Sequence, residues 1–97
     1  MVELIKTDVF NDWLDDLRDS KAKARIGARI DRLITGNPGD VKPVGEGISE
    51  MRIDYGPGYR VYFTQRGIVV AILLCGGDKR TQDADIAKAK KLAAAWK

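Results

Sequence analysis

The stretch "MRIDYGPGYRVYF", residues 51–63, constrains the fold of this chain more than any other. Two runs that alternate with period two flank a Gly-Pro-Gly turn, which is the pattern of a β-hairpin with two unlike faces. A three-residue loop, Gly56-Pro57-Gly58, with Gly58 at positive φ, sets Tyr55 opposite Tyr59, Asp54 opposite Arg60, Ile53 opposite Val61 and Arg52 opposite Tyr62. Met51, Ile53, Tyr55, Tyr59, Val61 and Phe63 then form a core face. Glu50, Arg52, Asp54, Arg60, Tyr62 and Thr64 form the other. A two-residue loop would slip the pairing by one and mix the faces. Two readings of the polar face stand side by side. One is a solvated Asp54–Arg60 pair, worth ~0.2–1 kcal/mol. The other is an anion site, because the planar arginine fork donates two parallel hydrogen bonds to phosphate oxygens.

The rest of the chain supplies the elements around this hairpin. Residues 2–6 alternate as a short strand, and Thr7 or Asp8 can cap a helix carrying Val9, Phe10, Trp13, Leu14 and Leu17 on one face. Ser20 is placed to cap a second helix with the stripe Ile26, Ile30, Leu33 and Ile34, stopped by "TGNPGD". Residues 36–47, with four Gly and two Pro, read as a loop. Strands follow at 48–55, 59–65 and 68–75. The third is apolar on both faces and belongs inside the sheet. After the loop "GGDKRTQ" comes a last helix with Ile86, Ala89, Ala93 and Trp96 on one side. The expected fold is α+β in one domain spanning 1–97, its helices packed on one face of an antiparallel sheet.

Composition narrows the chemistry. Histidine is absent and there is one cysteine, Cys75, in an apolar run, so Ser-His-Asp and Cys-His sites are excluded and a structural zinc site nearly so. No cofactor is expected. Any reaction must use Lys, Arg, Tyr and carboxylates. The formal charge is +3, with 7 basic and 8 acidic residues over 1–40 but 10 and 6 over 41–97. The positive excess therefore falls on the hairpin, the last strand and the last helix. "GGDKRTQ" adds Lys79 and Arg80 to Arg52 and Arg60, and its glycine pair can bring backbone close to a ligand. Tyr62 can stack on a base, and Lys42 is a further basic residue that can contact a polyanion. "GEGISE", "GPGYRV" and "CGGDKRT" lack the spacing of dinucleotide or P-loop motifs. No apolar run approaches the ~20 residues of a membrane span, the N-terminus does not read as a signal peptide, and one cysteine suits a reducing compartment. The expected location is the cytoplasm.

With this layout, "WLDDLRD", "ARIDRLITGNPGDVKPVGEGISEMRIDYGPGYRVYF" and "LLCGGDKRTQDADI" make residues 3–96 resemble the RelE/ParE superfamily of toxins from type II toxin–antitoxin modules. The closer likeness is to its HigB-like "addiction module killer protein" branch. The resemblance implies a compact toxin fold, two N-terminal helices and a C-terminal helix on an antiparallel sheet. It also implies a metal-independent endoribonuclease that cuts mRNA on the ribosome. Arg60 matches the arginine of the family's "YR-[VL]-x-[YF]" strand, Lys79 and Arg80 its basic pair, and Arg52 the cation of the preceding strand. Arg60 and Arg80 would clamp the scissile phosphate, Lys79 would neutralise developing charge, and Arg52 would position the strand or activate the attacking hydroxyl. The tyrosine that RelE carries after the basic pair is missing from "TQDADI", so no general acid or base carries over. The implied partners are the ribosome, mRNA and a neighbouring antitoxin with a helix-turn-helix domain, through which alone DNA would be contacted. ParE-like members share this fold and instead poison DNA gyrase by binding it, which is the alternative function.

Overall fold

A computed structural model of the chain describes residues 3–68 and 70–96; Val2 and Val69, both expected in strands, lie outside the described residues. In chain order the elements are β1 (Glu3–Lys6), α1 (Asp8–Asp16), α2 (Ser20–Ile34), β2 (Val41–Gly45), β3 (Ile48–Ile53), β4 (Tyr59–Arg66), β5 (Val70–Asp78), a single 3-10 turn (Lys79–Thr81) and α3 (Gln82–Ala95). The strands form one sheet in the order β1-β5-β4-β3-β2. Its pairs are antiparallel except β1 with β5, which run parallel. The connection from β1 passes through both N-terminal helices and the rest of the sheet, which is the length a parallel pairing needs.

The helix signals act locally. Thr7 caps α1, its hydroxyl accepting from the Phe10 N–H at 3.0 Å and donating to the Leu74 carbonyl at 2.6 Å, so one side chain starts the helix and ties it to β5. The cap of α2 is Asp19, one residue before the expected Ser20, with a carboxylate oxygen 2.9 Å from Lys21 N and 3.2 Å from Ala22 N. A carboxylate also suits the positive end of the helix dipole. Gly36, at φ 91°, ends α2: its N–H reaches Leu33 O and the Asn37 N–H reaches Arg32 O. These are the two bonds of a Schellman motif.

The helices do not share one face of the sheet as expected. Phe10, Ile26, Ile30 and Leu33 of α1 and α2 pack against Met51, Ile53, Val61, Phe63 and Leu73. α3 covers the opposite face, where Ala89 meets Ile48, Tyr62, Ile72, Leu74 and Cys75. The reason lies in β5, which is apolar on both sides and must be covered twice, with β4 buried on both sides beside it. Each large side chain fully buried in these layers contributes ~1.5–3 kcal/mol. A register shift between Tyr62 and Phe63 inserts a bulge in β5. It puts the adjacent Leu74 and Cys75 into the same α3-side core.

Two further expectations are corrected. Residues 41–45, expected to be loop, form the edge strand β2 despite Pro43. An edge strand tolerates a residue without an N–H, and the pairing is irregular there. Glu46 and Gly47, at φ 55° and 77°, close the β2–β3 turn with the positive φ pair that type I′ needs. The β3–β4 hairpin has a five-residue loop, 54–58, and pairs Ile53 with Tyr59, Arg52 with Arg60 and Glu50 with Tyr62. Gly58 does take positive φ, 81°, but Gly56 does too, and the turn closes inside the loop through Gly58 N to Tyr55 O at 3.1 Å. The slip from the expected register is two residues. An even slip preserves both faces, so alternation alone could not separate the two pairings.

Candidate functional site

The expected Asp54–Arg60 pair is absent from this register. Arg60 lies diagonal to Glu50 instead, with Nη1 3.7 Å from Oε1, and both are interior: Glu50 is 1% and Arg60 7% exposed. The other oxygen of Glu50 accepts from the Tyr62 hydroxyl and from Gln82 Nε2, each at 2.9 Å. At Glu50, Arg60 and Tyr62 the polar face of the hairpin is therefore not solvated. α3 lies over it, and its first residue, Gln82, completes the set.

Tyr62 is fully buried, so it cannot stack on a base as expected. Burial first, and then the hydrogen bond to Glu50, push its phenol well above the usual tyrosine range. It stays protonated at neutral pH and serves as a donor to Glu50 rather than as a base.

An open groove of about 460 Å³ lies at the end of the sheet. Arg52, Arg60 and Lys79 line it, with the hairpin loop residues Asp54, Gly56, Pro57 and Gly58, and with Asp40. Three of the four expected cations thus meet in one place. β3 carries Arg52, β4 carries Arg60 directly opposite it, and the turn after β5 carries Lys79 against the hairpin loop. The register that removes the Asp54–Arg60 pair is what sets the two arginines side by side. Arg52 is half-exposed and makes only a loose contact, 3.9 Å, with Asp40.

The remaining expected residues lie elsewhere. Arg80 is turned back onto Asp78, Nη2 to Oδ2 at 2.9 Å, and does not line the groove. That hydrogen bond holds the Asp78 carboxyl below its ordinary range. Lys42 is exposed on β2 opposite Glu50, outside the groove lining. The Gly76-Gly77 pair does not approach a ligand. A Cβ on Gly76 would overlap the Trp13 ring, and one on Gly77 the Asp85 carboxylate. These glycines let α1 and α3 close on the two faces of β5.

Several positioning residues carried no local signal in the sequence. Arg29 of α2 donates to the carbonyls of Pro38, Asp40 and Arg52, at 2.9 Å, 3.1 Å and 2.5 Å for the best bond to each, and so fixes one wall of the groove. Tyr55 donates to Asp19 at 2.9 Å while the Arg25 guanidinium sits 4.9 Å from its ring centre, tying the hairpin loop to α2. Glu50 and Gln82 are 32 residues apart in sequence and meet only through the packing of α3.

The arrangement can hold an anion. Three cations on rigid supports line the groove, Arg60 from a nearly buried position, against two carboxylates in the same wall. Among the described residues no helix is long and apolar enough to cross a membrane. A protein of Haemophilus influenzae, described only as uncharacterized, is 54% identical over 92 residues, covering 95% of this chain and 93% of its own length. Residues 12–95, which hold every groove residue, match the family described as "Phage derived protein Gp49-like (DUF891)". With the match running from α1 through α3, the chain belongs to the Gp49-like family of phage-derived proteins.

Proposed function

We propose that this protein is the toxin of a type II toxin–antitoxin module, of the HigB-like branch of the RelE/ParE superfamily, and that it cuts mRNA on the ribosome. The observation that carries the reading is Arg60: a guanidinium almost withdrawn from water, at an open groove shared with Arg52 and Lys79. RNA brings its own nucleophile. The 2′-hydroxyl attacks the adjacent phosphorus in line, the bond to the 5′-oxygen of the next nucleotide breaks, and that oxygen takes a proton from water, giving a 2′,3′-cyclic phosphate and a 5′-hydroxyl. The protein has to orient the backbone and stabilise charge on the phosphoryl oxygens, which fixed cations do without histidine. Arg60 and Arg52 hold the scissile phosphate and Lys79 offsets developing charge. The groove carboxylates Asp40 and Asp54 are the available acceptors for the hydroxyl proton. Arg80, engaged by Asp78, contributes only after leaving that partner. The partner that silences the protein is an antitoxin encoded beside it.

The test is primer extension on translating messages after induction of the wild type and of Arg60→Ala. Cleavage within coding sequence by the wild type, lost in Arg60→Ala, is the expected result. Removing one member of a buried ion pair costs ~3–5 kcal/mol. This pair is loose at 3.7 Å, so the cost falls at the low end, and circular dichroism checks that the variant folds. A second reading draws on Asp40 and Asp54, which weaken the groove for a polyanion and suit a protein contact. It is gyrase poisoning without nuclease activity. DNA damage signalling with intact messages would support it over cleavage.

A further inference from the structure

Glu50 is the most fully withdrawn charged residue among those described, at 1% exposure, yet it touches no groove surface. One of its oxygens is occupied by Tyr62 and Gln82, and the other faces Arg60 at 3.7 Å, beyond hydrogen-bond length. On the arginine side the accounting is incomplete. Arg60 Nε is buried with no partner, and among the described residues the guanidinium donates no hydrogen bond. A buried charge pair with unmade bonds is less stable than an apolar pair of the same volume. If stability alone were at stake, two apolar side chains would fill these register positions better.

We propose that Glu50 is a positioning residue. Its carboxylate, fixed by Tyr62 and Gln82, holds the Arg60 guanidinium in place by charge while leaving its terminal Nη donors unspent, ready for the oxygens of a phosphodiester in the groove. The 3.7 Å gap is central to this role. A closer, bidentate pair would use up the fork that the phosphate needs. Without the carboxylate, a long cationic side chain would turn out to solvent. The ligand class is a phosphate ester, since Arg52 and Lys79 converge on the same groove. The inference rests on the nuclease reading for its consequence in catalysis, while the poise of Arg60 can be read without any reaction.

The experiment compares wild type with Glu50→Gln, which keeps the shape and an acceptor for Tyr62 but removes the charge facing Arg60. On ribosomes programmed with a cleavable message, the cleavage rate constant at saturation is expected to fall at least tenfold. Affinity for ribosomes carrying the same message with a 2′-O-methyl group at the scissile position should stay within twofold. Tyr62→Phe and Gln82→Ala each remove one hydrogen bond and are expected to lose three- to tenfold in rate, which keeps the test open if Glu50→Gln does not fold. In parallel, the Arg60 Nε–H resonance, assigned by its loss in Arg60→Lys, should be protected from exchange. It should shift on titration with inorganic phosphate in the wild type and broaden away in Glu50→Gln. An unchanged cleavage rate in Glu50→Gln overturns the proposal whatever happens to melting temperature. If the wild type cleaves no RNA, the nuclease reading falls, and the phosphate titration then decides: a shift that depends on Glu50 upholds the positioning role, and no shift in the wild type overturns it.

Discussion

At the scale of single residues, burial decides which groups can do chemistry. Cys75 is the sole cysteine and is 1% exposed, and burial pushes its thiol up to about 12. Its thiolate fraction at pH 8 is then on the order of one in ten thousand. Iodoacetamide is expected to leave native protein unmodified over hours and to label it fully in denaturant; rapid native labelling would show that the α3 face opens. Asp19 behaves in the opposite sense. The hydrogen bond from Tyr55, followed by the Ala22 N–H, holds its carboxyl below the ordinary 3.8. A depressed folded-state value means stability that is present above 3.8 and lost as pH falls through the lower folded value. Asp19→Asn keeps a good cap and removes the titration, so acid unfolding followed by circular dichroism should show a shallower loss in that window.

At the scale of elements, contacts between them explain residues that look like loop chemistry in the sequence. "CGGD" reads as a ligand-facing glycine pair, but Gly76 and Gly77 are the places where α1 and α3 touch opposite faces of β5. Gly76→Ala drives a methyl group into Trp13, which also packs on Phe10 and Tyr59 at centroid distances of 5.9 Å and 6.3 Å. Overpacking of this kind costs ~1–3 kcal/mol. Urea denaturation should show a loss in that range for Gly76→Ala, and a similar one for Gly77→Ala, where Asp85 must move. A change below ~0.5 kcal/mol would mean that the helices do not close on β5 at these glycines. α3 packs its expected apolar side, Ile86, Ala89, Ala93 and Trp96, on the sheet and is also fastened by polar contacts. Gln82 holds Glu50, Lys90 holds Glu46 at 3.2 Å, and Arg66 donates to the Ala93 and Trp96 carbonyls at its C-terminal end.

At the scale of the whole molecule, charge is segregated more finely than the two halves of the sequence suggest. The near balance over residues 1–40 conceals an acidic α1, with Asp8, Asp12, Asp15 and Asp16, beside a basic α2, with five Lys and Arg against Asp31. Arg29 and Arg25 of α2 brace the groove, so its surroundings are more basic than the last 57 residues alone imply. Within the groove Asp40 and Asp54 work against this field. Neutralising both, as Asp40→Asn with Asp54→Asn, should raise affinity for a short single-stranded RNA about two- to tenfold at low salt, each exposed charge being worth up to ~1 kcal/mol. The gain should fade above ~0.1 M salt, where the Debye length is ~10 Å. Fluorescence anisotropy across a salt series checks both statements, and a weaker affinity in the double variant would argue against a polyanion in the groove.

Local signals were legible in the sequence because their causes are local. Thr7 as a cap, Gly36 as a helix stop, the apolar stripes of α1 and α2, and the two faces of the hairpin each depend on neighbours a few residues away. Arg52, Arg60 and Lys79 could be gathered as a cluster because the hairpin and the turn after β5 bring them together by short connections. Tertiary structure decided the rest. The hairpin register is set by where the chain leaves the ladder, and period-two patterning is blind to a slip of two. Whether the polar face meets water or α3 depends on a helix some 20 residues further on, and that converts Tyr62 from a candidate contact into a buried donor. Glu50 is an ordinary acidic residue in the sequence. It becomes the partner of Arg60 only when β3, β4 and α3 exclude water around it, because a charge in low dielectric has to be held by whatever the fold places beside it.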